Sequence, residues 1–307
     1  MRRVRYDRPG GPEVLRLEEA PVPTPGPGEL LVRVAAAGVT LPVVRKVRES
    51  PEPIPLGGEV AGEVAGLGPG VTGHAPGDRV TGLVFGHAYA DYALLRTAMA
   101  SPVPDGASAT DAVALVRSGL VAHGALAAAR PAPGESALIT GAAGGVGHLA
   151  VQLAALRGAG RVVAAVSDPA KADFVRSLGA TDVVTYAQEG WGEPVDYCLD
   201  AVGGELLAPA LAALAPFGRL VAYSSGGGTV RAYDLLVGAK SVTGFQMALI
   251  ARGRPDTYEA WRRELWRLFG AGALRPAVHA AFPLEEAAKA HEVIESRANL
   301  GKVVLVP

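Results

Sequence analysis

The chain has 307 residues, of which 49% are hydrophobic and 19% charged, with a formal net charge of -1; this is the balance of a folded globular protein and excludes a disordered one. It gives no electrostatic case for nucleic acid or an anionic membrane as a partner, and the short basic clusters Arg2 to Arg8 and Arg45 to Arg48 read as solvated surface. One cysteine, Cys198, excludes an internal disulfide, the N-terminus lacks the apolar stretch of a secretory signal, and no apolar run reaches the ~20 residues that span a bilayer, so a cytoplasmic location without a transmembrane helix is expected.

A core seldom grows beyond ~250 residues, so two domains are expected. The first third alternates short β-like runs, Leu30 to Val34, Glu59 to Leu67 and Arg79 to Leu83, with Gly and Pro, which predicts an irregular antiparallel barrel. From about Ala114, apolar strands alternate with Ala- and Leu-rich helical stretches. Strands are predicted at Ser136 to Thr140, Arg161 to Val166, Val183 to Tyr186, Tyr197 to Asp200, Arg219 to Tyr223 and Ser241 to Phe245, six in all for a doubly wound parallel sheet. Beyond Gly253, Tyr258 to Phe269 has Trp261, Leu265, Leu268 and Phe269 on one helical face and Glu259, Arg263 and Arg267 on the other. A second helix, from near Pro283 to about Ser296, precedes an apolar strand at Lys302 to Val306 that is expected to return to the first sheet. Cys198, inside an apolar strand, reads as a packing residue.

Ser136 to Gly147, SALITGAAGGVG, runs from an apolar strand through a glycine-rich turn into the helical stretch HLAVQLAALRG. The spacing Ala142-x-Gly144-x-x-Gly147 fits a dinucleotide fingerprint with alanine in the first glycine position. Gly144 leaves room for a pyrophosphate, Gly147 lets helix and strand pack closely, and N–H groups at the helix start face the phosphates. The competing reading is a purely structural turn. Where NAD-preferring folds place an acid at the end of the second strand, this chain has Val166, while Asp168-Pro169 reads as a helix cap. Ser167 and Lys171 are then available to a 2′-phosphate, which favours NADPH over NADH. Read otherwise, Lys171 is an ordinary exposed helix residue.

AAGGVG, LDAVGG at Leu199 to Gly204 and the C-terminal ESRANLGKVVLVP resemble the zinc-independent quinone oxidoreductase branch of the medium-chain dehydrogenase/reductase family. GPEVLRLEEAPVPTPGPGELLVRVAAAGV and PGDRVTGL resemble the family's catalytic domain, so the likeness spans nearly the whole chain. It implies an α/β fold: a GroES-like β-rich catalytic domain at residues 1–113 and 254–307 plus a doubly wound Rossmann nucleotide-binding domain at residues 114–253. It also implies NADPH contacts at Ala143, Gly144, Gly145, Val146, Ser167, Lys171, Tyr186 and Arg297, with Tyr223, Ser224 and Phe245 lining the way to the nicotinamide. Without the resemblance, the three aromatic residues are strand ends with packing roles. Zinc-dependent relatives need a lobe of four cysteines and a histidine in Gly-His-Glu; one cysteine and Gly57-Gly58-Glu59 point to no metal.

Three features depart from the pattern: Thr40 replaces an asparagine near the nicotinamide, the segment LPVVRKVRES lacks a tyrosine found in several relatives and offers Arg45 and Lys46 instead, and Val121 replaces a threonine. Thr40 and Arg45 are the candidate catalytic residues. His87, Tyr89 and Arg45 are candidate acids, each with a surface or structural role as the competing reading. The implied activity is NADPH-dependent hydride transfer to a quinone or other electron-poor alkene held between the domains. The alternatives are an enoyl or enone reductase acting on an unsaturated acyl or polyketide-like substrate, and an NADPH-binding protein with little or no turnover. The resemblance also implies a homodimer joined through Ser241 to Phe245.

Overall fold

A computed structural model describes residues 1–223 and 226–307, so Ser224 lies outside the described residues. The chain divides into two units, Met1–Arg117 with Pro276–Pro307, and Ser118–Arg275. Short runs between Gly and Pro form β1 (Arg2–Arg5), β2 (Arg16–Glu19), β3 (Glu29–Val39), β4 (Glu59–Leu67), β5 (Arg79–Leu83), β6 (Tyr92–Arg96) and β7 (Ala100–Pro102), with α1 (Leu41–Glu49) after β3. After α2 (Ala109–Ala129), strands and helices alternate except between β10 and β11: β8 (Ser136–Thr140), α3 (Gly147–Leu156), β9 (Arg161–Val166), α4 (Ala172–Ser177), β10 (Asp182–Thr185), β11 (Val195–Asp200), α5 (Leu207–Ala212), β12 (Leu214–Ala222), α6 (Ala232–Gly238) and β13 (Ser241–Gly244). The remainder is α7 (Met247–Gly253), α8 (Pro255–Gly270), β14 (Val278–Pro283), α9 (Ala287–Glu295) and β15 (Lys302–Val306).

In the first unit, β3 is the spine of a sheet in the order β14-β15-β3-β4-β5-β7, with β6 also paired to β3. Register shifts at Leu31/Val32 and Val34/Ala36 bend β3, so that its first half pairs with β6 and its last residues with β15. The final strand thus returns to the first sheet, as its apolar run predicts. β14 was not foreseen; Pro283 ends this strand, and the helical backbone begins at Leu284.

The second unit holds a wholly parallel sheet in the order β10-β9-β8-β11-β12-β13, the doubly wound arrangement. Leu138, Cys198 and Leu220 pack with Trp191, Leu207 and Leu211, and burial pushes the Cys198 thiol up, which suits packing rather than chemistry. β12 begins five residues before the expected Arg219; Pro216 and Gly218 disguise its start, where a register shift opposite Val195/Tyr197 accommodates them. α8 buries Tyr258, Leu265 and Leu268 and exposes Arg263 and Arg267.

Two expectations from charge and hydropathy are refined. α2 is long and apolar enough to cross a membrane by composition alone, yet 78% of its apolar window is buried within the protein, as in a core helix. The N-terminal arginines are not simply solvated: Arg2 pairs with Asp91 and Glu285, Arg3 and Arg5 with Glu18, Arg16 with Asp7, and Arg48 with Glu295. Neighbouring acids thus pair with Arg2, Arg3 and Arg5 of the first cluster and with Arg48 of the second.

Candidate functional site

Because the six strands of the second unit are parallel, their carboxyl ends share one edge. Gly141 to Val146 follow β8, Ser167 to Lys171 follow β9, Tyr186 follows β10, and Tyr223 and Phe245 follow β12 and β13. All the described site candidates of this unit therefore lie along that edge. The strand order reverses between β8 and β11, where doubly wound sheets open a crevice for ligands.

The glycine turn is tightly determined. Gly141 has φ +62°, its N–H donates to Tyr186 Oη at 2.8 Å, and the Gly144 N–H donates to the Gly141 carbonyl at 2.9 Å. A Cβ at Gly147 would overlap the Gly141 carbonyl oxygen, whereas one at Gly144 would meet only that oxygen, at 3.2 Å. Gly147 is thus required by helix–strand packing, and Gly144 keeps the open side of the turn low. Among the described residues, the N–H groups of Gly145, Val146 and Gly147 have no carbonyl acceptor, and α3 has no side-chain cap. Converging amide donors at a helix start fit a pyrophosphate. Ala143, in the same turn, is buried.

At the end of β9, Asp168 Oδ1 accepts from the Ala170 N–H at 2.8 Å and caps the turn Pro169–Lys171. Its carboxylate is committed to the backbone, as the Asp-Pro pair predicts. Ser167 is exposed and Lys171 half-buried at the far side of this turn. Asp168 is thus turned to the backbone of its own turn, and Val166 rather than an acid ends β9.

Asp200 is the feature sequence reasoning missed. Fully buried at the end of β11, it accepts from Thr140 Oγ1 at 2.7 Å and from the N–H groups of Val202 at 3.1 Å and Gly203 at 3.0 Å. Thr140 Oγ1 in turn accepts from the Ala201 N–H at 2.9 Å. This lock ties β8 to β11 at the point where the strand order reverses. Beside it, Tyr223 Oη is buried without a partner among the described residues, and burial, with Asp200 nearby, pushes its ionisation far up. Phe245 stands against Gly124 and Trp261, its ring 6.4 Å from the Trp261 ring.

The remaining candidates belong to the first unit. Thr40 begins α1 with its backbone carbonyl, while its Oγ1 is buried and unpartnered among the described residues. Arg45 is half-buried on α1, and Arg297 is exposed with φ +56°. His87 is exposed; Tyr89 is buried, its hydroxyl 3.2 Å from His291 Nε2. Burial pushes the Tyr89 hydroxyl up, which opposes its ionisation.

His291 itself is held by burial down to about 4. A histidine whose folded value lies below its unfolded value near 6.5 stays neutral while the unfolded chain takes up a proton. Stability is therefore complete above about pH 6.5 and falls by on the order of 3 kcal/mol as the pH drops to about 4. Urea melts between pH 7 and 4 check this, and His291→Gln is expected to flatten the curve.

This geometry defines a dinucleotide-binding protein of the doubly wound class. Residues 26–105 match the alcohol dehydrogenase GroES-like domain and residues 178–305 the zinc-binding dehydrogenase model. A quinone oxidoreductase of Pseudomonas aeruginosa is 32% identical over 100% of this chain and 99% of its own length. A 2-haloacrylate reductase from Burkholderia is also 32% identical, over 97% of this chain and 96% of its own. The structure of Escherichia coli quinone oxidoreductase complexed with NADPH superposes with a TM-score of 0.91 at 28% identity, covering 100% of both chains. The chain belongs to the quinone oxidoreductase branch of the medium-chain dehydrogenase/reductase family, and it is an oxidoreductase. Among its described residues, no group of three or more His, Cys, Asp or Glu side chains is placed to hold a metal ion.

Proposed function

We propose that this oxidoreductase binds NADPH along the carboxyl edge of the second unit's sheet and reduces a quinone or other electron-poor alkene. The observation that carries the reading is the glycine turn, with amide donors left free among the described residues at the start of α3, beside a second strand after which Asp168 caps its own turn. Ala143, Gly144, Gly145 and Val146 hold the pyrophosphate through backbone groups, and Ser167 and Lys171 take the 2′-phosphate. Tyr186 fixes the turn through Gly141, while Tyr223 and Phe245 line the nicotinamide end, and Arg297 adds a further contact. Bound NADPH supplies the hydride. The first unit serves as the catalytic domain, with Thr40 and Arg45 toward the substrate, and the second as the cofactor domain. The likeness to a 2-haloacrylate reductase favours a second reading, reduction of an activated alkene such as an unsaturated acyl group.

Lys171→Ala is expected to weaken NADPH binding about tenfold, the worth of one charge-assisted hydrogen bond, and to leave NADH binding unchanged. Fluorescence titration with both cofactors checks this; an equal loss for both would remove Lys171 from the 2′-phosphate site. The reading includes a cytoplasmic homodimer in which β13, the last strand of its sheet, pairs with a second copy. Exposed Leu236 and Val237 on α6, the helix preceding this edge strand in the chain, support it. Analytical ultracentrifugation showing a monomer at micromolar concentration would contradict the dimer.

A further inference from the structure

Four residues of the first unit meet on one face of its sheet. β3 lies between β15 and β4; Gly38 stands opposite Val304 on one side and, one step beyond the Ala37–Val60 pair, opposite Glu59 on the other. The same register carried one step beyond the Val39–Val303 pair sets Thr40 opposite Lys302. Directly opposed residues, and residues two apart on one strand, share a face, so Gly38, Thr40, Glu59 and Lys302 do. Lys302 Nζ donates to Glu59 Oε1 in an ion pair whose members are 2% and 1% exposed. This pair spans β3, and it crosses at Gly38, where a Cβ would overlap Glu59 Oε1.

A buried ion pair is weak evidence for stability, since well-packed apolar residues often serve as well or better. What distinguishes this one is the set of polar atoms around it. Glu59 Oε2 and Thr40 Oγ1 are both buried without partners among the described residues. An ammonium has three protons to donate, and one goes to Glu59. Buried polar groups are ordinarily satisfied, and the nearest donor that the register offers Thr40 is the ammonium opposite it.

We propose that Lys302, held across Gly38 by Glu59, donates to Thr40 Oγ1 through one water, leaving the Thr40 hydroxyl proton for a carbonyl oxygen of the substrate. The idea rests on the reductase reading above, in which Thr40 faces the substrate. As hydride adds to a quinone or enone, negative charge develops on the carbonyl oxygen, and a hydroxyl already oriented to donate stabilises it. Lys302 and Glu59 are then positioning residues that act through Thr40.

The test is a double-mutant cycle in the full chain, combining Thr40→Val with Lys302→Met and reading kcat, KM for a quinone, and NADPH affinity. Lys302→Met is expected to lower kcat about tenfold with NADPH affinity changed less than about twofold, and to have less than about a twofold effect once Thr40 is valine. Equal losses in both backgrounds overturn the proposal. If Lys302→Met does not fold, Glu59→Gln, which keeps the side-chain shape, enters the same cycle and is read in the same way. A crystal structure decides the geometry independently of turnover: Lys302 Nζ and Thr40 Oγ1 bonded to one water supports it, and Thr40 Oγ1 bonded elsewhere overturns it. Wild-type protein that shows the contact but oxidises no NADPH with any quinone or enone overturns the reductase reading instead.

Discussion

Gly147→Ala is expected to weaken NADPH binding by about tenfold to a hundredfold. A Cβ at Gly147 would overlap the Gly141 carbonyl oxygen and lie 2.7 Å from the Ala142 Cα, so α3 must retreat from β8. Both obstacles are backbone atoms, which do not turn aside as a side chain would, and overpacking of this kind costs about 1–3 kcal/mol. Part of that cost falls on the amide donors of Gly145 to Gly147, which are the ones proposed to bind the pyrophosphate. Gly144→Ala meets one oxygen at 3.2 Å, so it is expected to disturb the free protein less and to act mainly against the ligand. Isothermal titration of both variants, with melting temperatures alongside, separates the two effects. Unchanged affinity in Gly147→Ala would mean that the turn does not cradle the cofactor.

Asp200→Ala is expected to be the most destabilising single change in the second unit. The substitution strands the hydroxyl of Thr140 and the N–H groups of Val202 and Gly203, all of which donate to the buried carboxylate. Losing a buried charged acceptor with several donors costs about 3–5 kcal/mol, and at about 2–4 °C per kcal/mol the melting temperature falls by roughly 10 °C. Asp200→Asn keeps one acceptor oxygen and is expected to lose less. Calorimetry ranks the two, and a wild-type melting temperature in Asp200→Ala would show that the lock carries no load.

These two residues mark the limits of what the sequence discloses. The glycine turn is legible because its elements are local: apolar strand, glycine spacing and helix occupy one continuous segment whose chemistry each residue states by itself. The Asp168 cap was legible for the same reason. Asp200 and Thr140 were not, since their partnership joins positions 60 residues apart and neither strand announces the other. The available signal was that SALIT and YCLD each close an otherwise apolar strand with a polar residue, which in a buried sheet demands a partner. The Glu59–Lys302 pair, 243 residues apart, gave a similar hint in two charges beside glycines at strand starts. Tyr186 read as an aromatic strand end, and its packing against Trp191 agrees, but its hydroxyl also anchors Gly141. β14 and the start of β12 stayed hidden because prolines and alanines weakened the alternation that revealed the other strands.

The most direct test of the central claim follows the absorbance of NADPH and of NADH, separately, with purified protein and a panel of quinones and enones. The expected result is substrate-dependent oxidation of NADPH at a kcat/KM well above that with NADH. Tight NADPH binding without turnover of any member of the panel, or a preference for NADH, would contradict it.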